Sequence, residues 1–423
     1  MSTEQVKPGY KRTEVGVIPE DWEISTLRNL LSVIKNGAVY IAAKNGGIPI
    51  SRIETISSGE INYEKVGYAE ESEQLKNYKL EAGDLLFSHI NSLDHIGKVA
   101  IYNGAQPLYH GMNLLLLRAS EATIPQYLYY WLNSINGRRR VAALAKQAVS
   151  QASISTSDLR KFFIPIPKLN EQKRIAEILG DIDDLLAQLD RLITKKRDLK
   201  QAAMQQLLTG QTRLPGFSGA WEVKRLGDVG NCLRGVTYKG DSDLWPHDTA
   251  HTKRLLRSNN VQNSIVVIDD IQFVNSNRVA PQQLLRKNDI LICMANGSKA
   301  LVGKAGLFDV ADGHEYTFGA FMGCFRTEEI EFDPAFVFCL FQTARYRDYI
   351  NNLLAGSSIN NLNPGSIESL EFHMPEKEEQ TAIATVLSDM DAELAALAAR
   401  RDKTLALKQG MMQELLTGRI RLV

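Results

Sequence analysis

The sequence predicts an α+β protein with two globular domains, related by an internal pseudo-two-fold and separated by two long antiparallel helices forming a coiled coil. Three observations carry this. Stretches 167–214 and 375–422 repeat one another at a constant offset with no gap. Each repeat has the apolar spacing of one long helix. Each follows a globular segment of similar length, and those two segments share a framework but not their loops. The expected domains are 1–166 (globular), 167–214 (first helix), 215–374 (globular) and 375–423 (second helix).

The globular segments come first in chain order. Pro19-Glu20-Asp21-Trp22-Glu23 matches Ser218-Gly219-Ala220-Trp221-Glu222, and Arg52 lies at nearly the same shift from Arg257. Gly83-Asp84-Leu85-Leu86 aligns with Asn288-Asp289-Ile290-Leu291, and Gly97-Lys98 with Gly303-Lys304. Short β-rich runs are expected at 84–88, 97–102, 113–118, 289–294 and 303–310. Pro125–Leu132 and Pro334–Phe341 read as proline-started apolar helices of the core.

In the first repeat Ile175, Leu179, Ile182, Leu186, Leu189 and Ile193 are spaced alternately four and three residues apart, an a/d seam. Ile383, Leu387, Met390, Leu394 and Leu397 continue it in the second. Pro167 and Pro375 precede the helix starts, Glu171 and Glu379 suit the first turn, and Gly210 and Gly418 suit the C′ position after a Leu-Leu-Thr run. Each helix is then roughly 40 residues, about 60 Å at 1.5 Å per residue. One apolar stripe of that length needs a partner stripe, and the other copy supplies it. Antiparallel pairing sets the exit of the first helix beside the start of the second, which spares the connecting chain a return journey. The plainer alternative is two amphipathic helices, each lying on its own domain.

Composition is permissive. The chain has 423 residues, 49 Lys+Arg against 49 Asp+Glu, and 44% hydrophobic residues, as expected of a globular protein of two to three domains. Its four cysteines (Cys232, Cys293, Cys324, Cys339) show no CxxC spacing, which argues against a disulfide framework or zinc site and fits a reducing cytosol. Met1–Lys7 is polar and no apolar run is long enough to span a bilayer, so the expectation is cytoplasmic, with no membrane. Zero net charge leaves nucleic-acid binding to local charge distribution.

Apparent catalytic signals fail on inspection. Gly297–Ala305 has one residue too many for a phosphate loop and Ala305 where Ser or Thr would meet magnesium. His247-Asp248-Thr249-Ala250-His251 lacks the Glu of a zinc-protease helix, and Asn363-Pro364 continues with Gly365 rather than the second proline of an amino-methylation motif. No GxSxG elbow or cluster of metal-binding carboxylates is visible.

The sequence resembles the specificity (S) subunit of type I restriction–modification systems. The residues that carry the resemblance are Gly9-Tyr10-Lys11-Arg12-Thr13-Glu14 followed by Ile18-Pro19-Glu20-Asp21-Trp22-Glu23, the Pro-x4-Gln boundary at Pro167 and Pro375, and the Leu-Leu-Thr-Gly helix ends. It covers essentially the whole chain. The resemblance implies two target-recognition domains, each reading one half of an asymmetric bipartite site in double-stranded DNA. The helices would set the spacer and dock two methyltransferase (M) subunits, with restriction/translocase (R) subunits joining through them. It implies a non-catalytic chain that binds no cofactor itself, with S-adenosylmethionine in the methyltransferase and ATP and Mg in the restriction subunit. Helix two departs where Arg401 stands opposite Ile193 of helix one. A rod of about 60 Å suits two readers on DNA whose turn is about 34–36 Å. The competing classes are a structural coiled-coil adaptor joining two protein-binding domains and a stand-alone enzyme.

Sequence readout needs Arg, Lys, Asn, Gln, Ser or His on loops that reach base edges. In the second domain the candidates are Arg254, Arg257, Ser258, Asn259 and Asn260 within 253–260, then Asn296, Ser298 and Lys299, and the basic-aromatic group Arg234, Tyr238 and Lys239. In the first they are Lys44, Asn45, Arg52, Ser88, His89 and Asn91. Each is weighed against a solvated loop or turn cap. Arg138-Arg139-Arg140 is read as a solvated face or phosphate contact.

Overall fold

The computed structural model describes residues 6–147, 151–355 and 360–422. The chain divides into two compact units, residues 1–191 with 398–423, and residues 192–397. These do not follow the domain borders expected above, because each long helix starts in the core of the domain before it and ends in the core of the other.

Unit 1 is built on an antiparallel sheet in the order Leu31–Asn36, Leu115–Ala119, Leu85–Phe87, Val99–Ile101. Its central strands are continuous apolar runs because both faces are covered. Leu85, Phe87, Leu115 and Leu117 pack with Tyr127, Leu128 and Trp131 of the helix Pro125–Asn133, while Leu86, Leu116 and Ala100 face a second cluster with Ile56 and Leu108. Period-two alternation thus sorts one run into two cores. Unit 2 repeats the plan with Gly230–Arg234, Met322–Thr327, Ile290–Cys293 and Ala305–Leu307, then adds Ile265–Val266 and Val261–Gln262 at the edge. Here Ile290 and Ile292 face the helix-side core with Phe336 and Leu340, and Leu291 and Cys293 face the outer one.

A buried ion pair pins each sheet. Arg118 Nε and Nη2 donate to Asp84 at 2.7 and 2.8 Å; Arg326 donates the same fork to Asp289 at 2.8 and 2.6 Å. Both carboxylates are buried. In each unit a short pair closes the base: Glu23–Thr26 with Phe163–Ile166, and Glu222–Arg225 with Glu371–Met374.

The long helices are Leu169–Leu207 and Lys377–Leu415, each 39 residues and at matching positions in the repeat. The Pro-x4-Gln boundary is a clamp. Gln172 donates to the carbonyl of Pro167 at 2.9 Å and accepts from Thr123 Oγ1 and Ile124 N; Gln380 donates to Pro375 O and accepts from Asp333 N. Both side chains are buried, so the amide satisfies backbone groups that water cannot reach. At the far ends Gly210 and Gly418 have φ of +72° and +70°, and each packs under a tryptophan, Trp221 and Trp22. Those tryptophans donate to Glu379 and Glu171, which also hold Arg213 and Arg421.

Within each unit the helix segments run antiparallel. In unit 1, Asp183 pairs with Lys408 and Asp190 with Arg401 at 3.5 Å. In unit 2, Lys196 pairs with Glu393 at 2.7 Å and Lys200 with Asp391 at 2.5 Å. Progress along one helix is retreat along the other. The expected seam needs one correction. Ile175 and Leu179 lie in the unit 1 domain core with Leu415 and Leu416, and Ile383 and Leu387 in the unit 2 core with Leu207 and Leu208. Met390 packs at the edge of that core. Among the seam residues nearer the helix middles, Leu189 and Ile193 are buried, while Ile182, Leu186, Leu394 and Leu397 are half-buried. The apolar stripe therefore serves domain cores at its ends and helix pairing between them.

Candidate nucleic-acid interface

Each unit carries a crossing of two glycines at one end of its sheet. A Cβ on Gly37 would sit 1.8 Å from the carbonyl oxygen of Gly111, and one on Gly235 would sit 2.0 Å from that of Gly319. Ala38 bridges Gly111 and Val236 bridges Gly319, both in parallel sense. Only glycine lets the backbones pass so close. The crossing fixes the chain that follows it in each unit (39–47 and 237–243) against the loop at 111–114 or 319–322.

In unit 2 this end gathers a polar cluster. The Phe321 carbonyl accepts from Met294 N at 2.9 Å and Ala295 N at 3.1 Å, which ties the 319–322 loop to the strand end at Cys293. Asn296 donates from its side chain to Ser258 Oγ at 3.4 Å and from its backbone to Asn360 O at 3.4 Å. Asn360 Nδ2 donates to Gly297 O at 3.1 Å, and Ala295 bridges Asn361. Tyr238 lies against Gly319, whose N–H donates to Leu256 O. Tyr238, Ser258, Asn296 and Asn360 thus come from four separate segments to one edge.

Unit 1 repeats the crossing with different residues around it. Asn91 pairs with Ala152 in the strand ladder, as Asn296 meets Asn360, and the His89 carbonyl accepts from Ile154 N. Arg52 and the Tyr40 hydroxyl both lie against Gly67, and Arg52 reaches Glu54 at 3.4 Å with half of its side chain exposed. Lys44 and Asn45 are exposed. Asn113 is exposed at the loop tip with φ +68°.

Three candidates are corrected. Ser88 is 1% exposed and accepts from Asn91 Nδ2, so its hydroxyl braces Asn91 and does not reach the surface. Asn260 is 0% exposed, its amide donating to Val267 O and Asp269 O while its oxygen accepts from Arg257 N. Arg254 is locked by Asp248 at 2.9 Å, Asp312 at 3.1 Å and Tyr316 Oη at 2.9 Å. The Tyr316 hydroxyl bond holds Asp312 below the usual carboxylate range. Polar residues in loops serve as turn braces as readily as readers.

The remaining candidates keep a solvent-facing part. Arg257 donates to Asp270 Oδ2 at 2.9 Å, and Asn259 donates to the same oxygen at 3.0 Å. His89 is half-buried, its Nδ1 has no partner, and burial pulls its pKa down. Arg234, Lys239, Ser298 and Lys299 are exposed, with Lys299 Nζ donating to Leu354 O at 3.3 Å. In the basic run, Arg138 and Arg139 are exposed, but Arg140 stacks on Trp131 and Phe162 and donates to Phe163 O. Asn360 and Phe321 are additions that sequence reasoning missed. Among the described residues no group of three His, Cys, Asp or Glu is placed to hold a metal, and no helix is long and apolar enough to cross a membrane.

A family model described as the type I restriction modification DNA specificity domain matches the chain twice, over residues 19–196 and 219–406. The chain belongs to the type I specificity-subunit family. This specificity subunit is 32% identical to the MjaX specificity subunit of Methanocaldococcus jannaschii, over 97% of this chain and 96% of that one. It is also 32% identical to the EcoKI specificity subunit of Escherichia coli, over 47% of this chain and 42% of the relative. Among solved structures, the S subunit from M. genitalium shares its fold with a TM-score of 0.59 at 16% identity, covering 93% of this chain and 96% of that one. A chain from a study of type I complex assembly and conformational transition gives 0.57 at 17%, covering 95% and 99%. Both specificity domains of this subunit therefore carry the glycine crossing and its loop cluster.

Proposed function

We propose that this specificity subunit reads an asymmetric bipartite site in double-stranded DNA, with the edge at Tyr238, Asn296 and Asn360 reading one half and the edge at Arg52, Asn91 and Lys44 the other. The observation that carries this is a repeated scaffold with unlike tips. The glycine crossing, the Asp–Arg pair under the sheet and the glutamine clamp recur in both units. The side chains presented at the crossing differ. Two equal scaffolds with equal tips would read a palindrome; unequal tips read two different half-sites.

The chain supplies recognition and no chemistry of its own. The long helices dock two methyltransferase subunits, which bring S-adenosylmethionine, and restriction subunits that use ATP and Mg join through these. The complex works in the cytoplasm. Side chains at the edges divide the work: exposed Lys44, Lys239 and Lys299 neutralise phosphates, and Asn296 and Asn91, whose amides each donate one internal bond and accept another, turn the remaining N–H and oxygen lone pair to adenine N6 and N7.

The test is a methylation map of DNA modified by this subunit with its methyltransferase. Asn296→Ala should relax one half-site at one position, with a loss of about 1–3 kcal/mol there, and leave the other half-site intact. Equal relaxation of both halves would sink the assignment of one half-site per unit. Binding should also weaken linearly in log K against log salt; a coiled-coil adaptor joining two protein-binding domains would show no such slope on duplex DNA.

A further inference from the structure

We infer that Phe321 is a specificity-determining residue of unit 2 that reads a thymine through its 5-methyl group. Its ring is 72% exposed, more than any other aromatic side chain among the described residues. A single exposed apolar residue needs no explanation in general. What singles out Phe321 is its place and the bonded backbone that carries it.

The backbone around it is fixed on every side. Its carbonyl accepts two N–H bonds from Met294 and Ala295, Gly319 N donates to Leu256 O, Met322 N donates to Gly319 O, and Val236 N donates to Phe318 O. The backbone that carries the ring is therefore held at a preset point. Ala295, which donates its N–H to the Phe321 carbonyl, is followed directly by Asn296, so the tip residue and the polar cluster with Ser258 and Asn360 share one backbone junction. An apolar ring and an asparagine amide carried on one junction match what an A·T pair offers in the major groove: an adenine edge with donor and acceptor, and a methyl group on its partner.

The comparison between units sharpens this. Counted from the glycine crossing, the residue in Phe321's place in unit 1 is Asn113, which is exposed with φ +68°. One tip presents an apolar ring and the other an amide, on the same crossing. A structural need of the fold would not allow both. Nor does Phe321 serve the core: it belongs to none of the buried clusters, whereas its neighbours Phe318 and Met322 lie in the outer core of the sheet.

The inference rests on the reading of the loop edge as the DNA-facing edge, and the experiment separates the two. The specificity subunit with its methyltransferase is prepared with Phe321, with Phe321→Ala and with Phe321→Leu, and each complex is used to map methylation and to bind duplexes. We expect Phe321→Ala to make one thymine position degenerate, in the same half-site that Asn296→Ala weakens. Replacing that thymine by deoxyuridine should cost the parent complex about fourfold in affinity, the worth of one buried methyl-sized group. It should cost Phe321→Ala nothing, and Phe321→Leu should keep part of the effect. An unchanged thermal unfolding curve is expected for Phe321→Ala, since the ring is outside the core.

A half-site without thymine, an equal uracil penalty in parent and Phe321→Ala, or a map identical to that of the parent overturns the inference while leaving DNA recognition standing. A strong rise of 2-aminopurine fluorescence beside the site on binding also overturns it, because the ring would then be a wedge between bases. Absence of any bipartite methylation with the parent complex would instead overturn the DNA reading itself.

Discussion

Burial decides what individual titrating residues can do here. His110 is 0% exposed; Nε2 faces the carbonyl of Leu114 at 3.1 Å and Nδ1 has no partner, and burial pushes its pKa down to about 4. The folded chain thus keeps His110 neutral where the unfolded chain, near 6.5, takes a proton. Its contribution to unit 1 is complete above pH 6.5 and is lost as pH falls towards 4, by about 3 kcal/mol in all. Urea unfolding across that range should show the slope, and His110→Gln should flatten it relative to the parent. Burial likewise pushes the thiols of Cys232 and Cys339 up to about 12. Native chains should resist alkylation at both sites at pH 8 and react fully once denatured; rapid labelling of either in the native state would contradict this. The candidate edges were legible in sequence only in part. Phe321 stands in the apolar run 316–322, where nothing in the sequence sets it apart from the buried Phe318 and Met322. Asn260 and Ser88 look like readers because a turn brace and a base reader use the same side chains.

Among the elements, the long helices were the most legible because repetition and heptad spacing both mark them. The clamp was not. In the sequence Gln172 and Gln380 only close the Pro-x4-Gln boundary, yet their value lies in contacts with segments some fifty residues away, at Thr123 and Asp333. The Asp84–Arg118 and Asp289–Arg326 pairs were missed for the same reason: adjacency across a sheet has no period. Glu171 receives Arg421 at 2.8 Å and Trp22 Nε1 at 3.1 Å while itself buried. Arg421→Ala leaves that carboxylate buried with a weaker partner set. The ion pair is partly open to water, so the expected loss is about 1–2 kcal/mol in unit 1. Arg213→Ala removes the matching partner of Glu379 and should act on unit 2. Hydrogen exchange resolved by peptide should locate each effect in its own unit. A loss spread evenly over both would show that the clamps do not act locally.

For the whole molecule, duplication made the plan readable, and the compact units were the part it concealed. Sequence alignment divides the chain where the repeats begin; packing divides it within the helices, at 191/192 and 397/398. Helix length then becomes a parameter of function. Excising one heptad from the middle of each helix, with the Asp183–Lys408 and Lys200–Asp391 pairs kept, should change the spacer between half-sites and leave both half-site sequences intact. Methylation mapping reads both quantities at once, and an unchanged spacer would remove the ruler role.

The same division bears on how the chain is made. Unit 2 is contiguous, so every residue of its core has been synthesised once residue 397 leaves the ribosome. The segment up to residue 191 is translated before unit 2, yet it lacks Leu415 and Leu416 of its core, and Arg421 over Glu171, until translation reaches them. The domain begun first is finished last. Domains generally fold as units, so a released chain truncated after residue 405 should show a protease-resistant unit 2 beside an N-terminal domain still open to cleavage. Until the last residues arrive, that domain waits with an apolar gap where the second helix belongs, and it is there that a chaperone has reason to hold on.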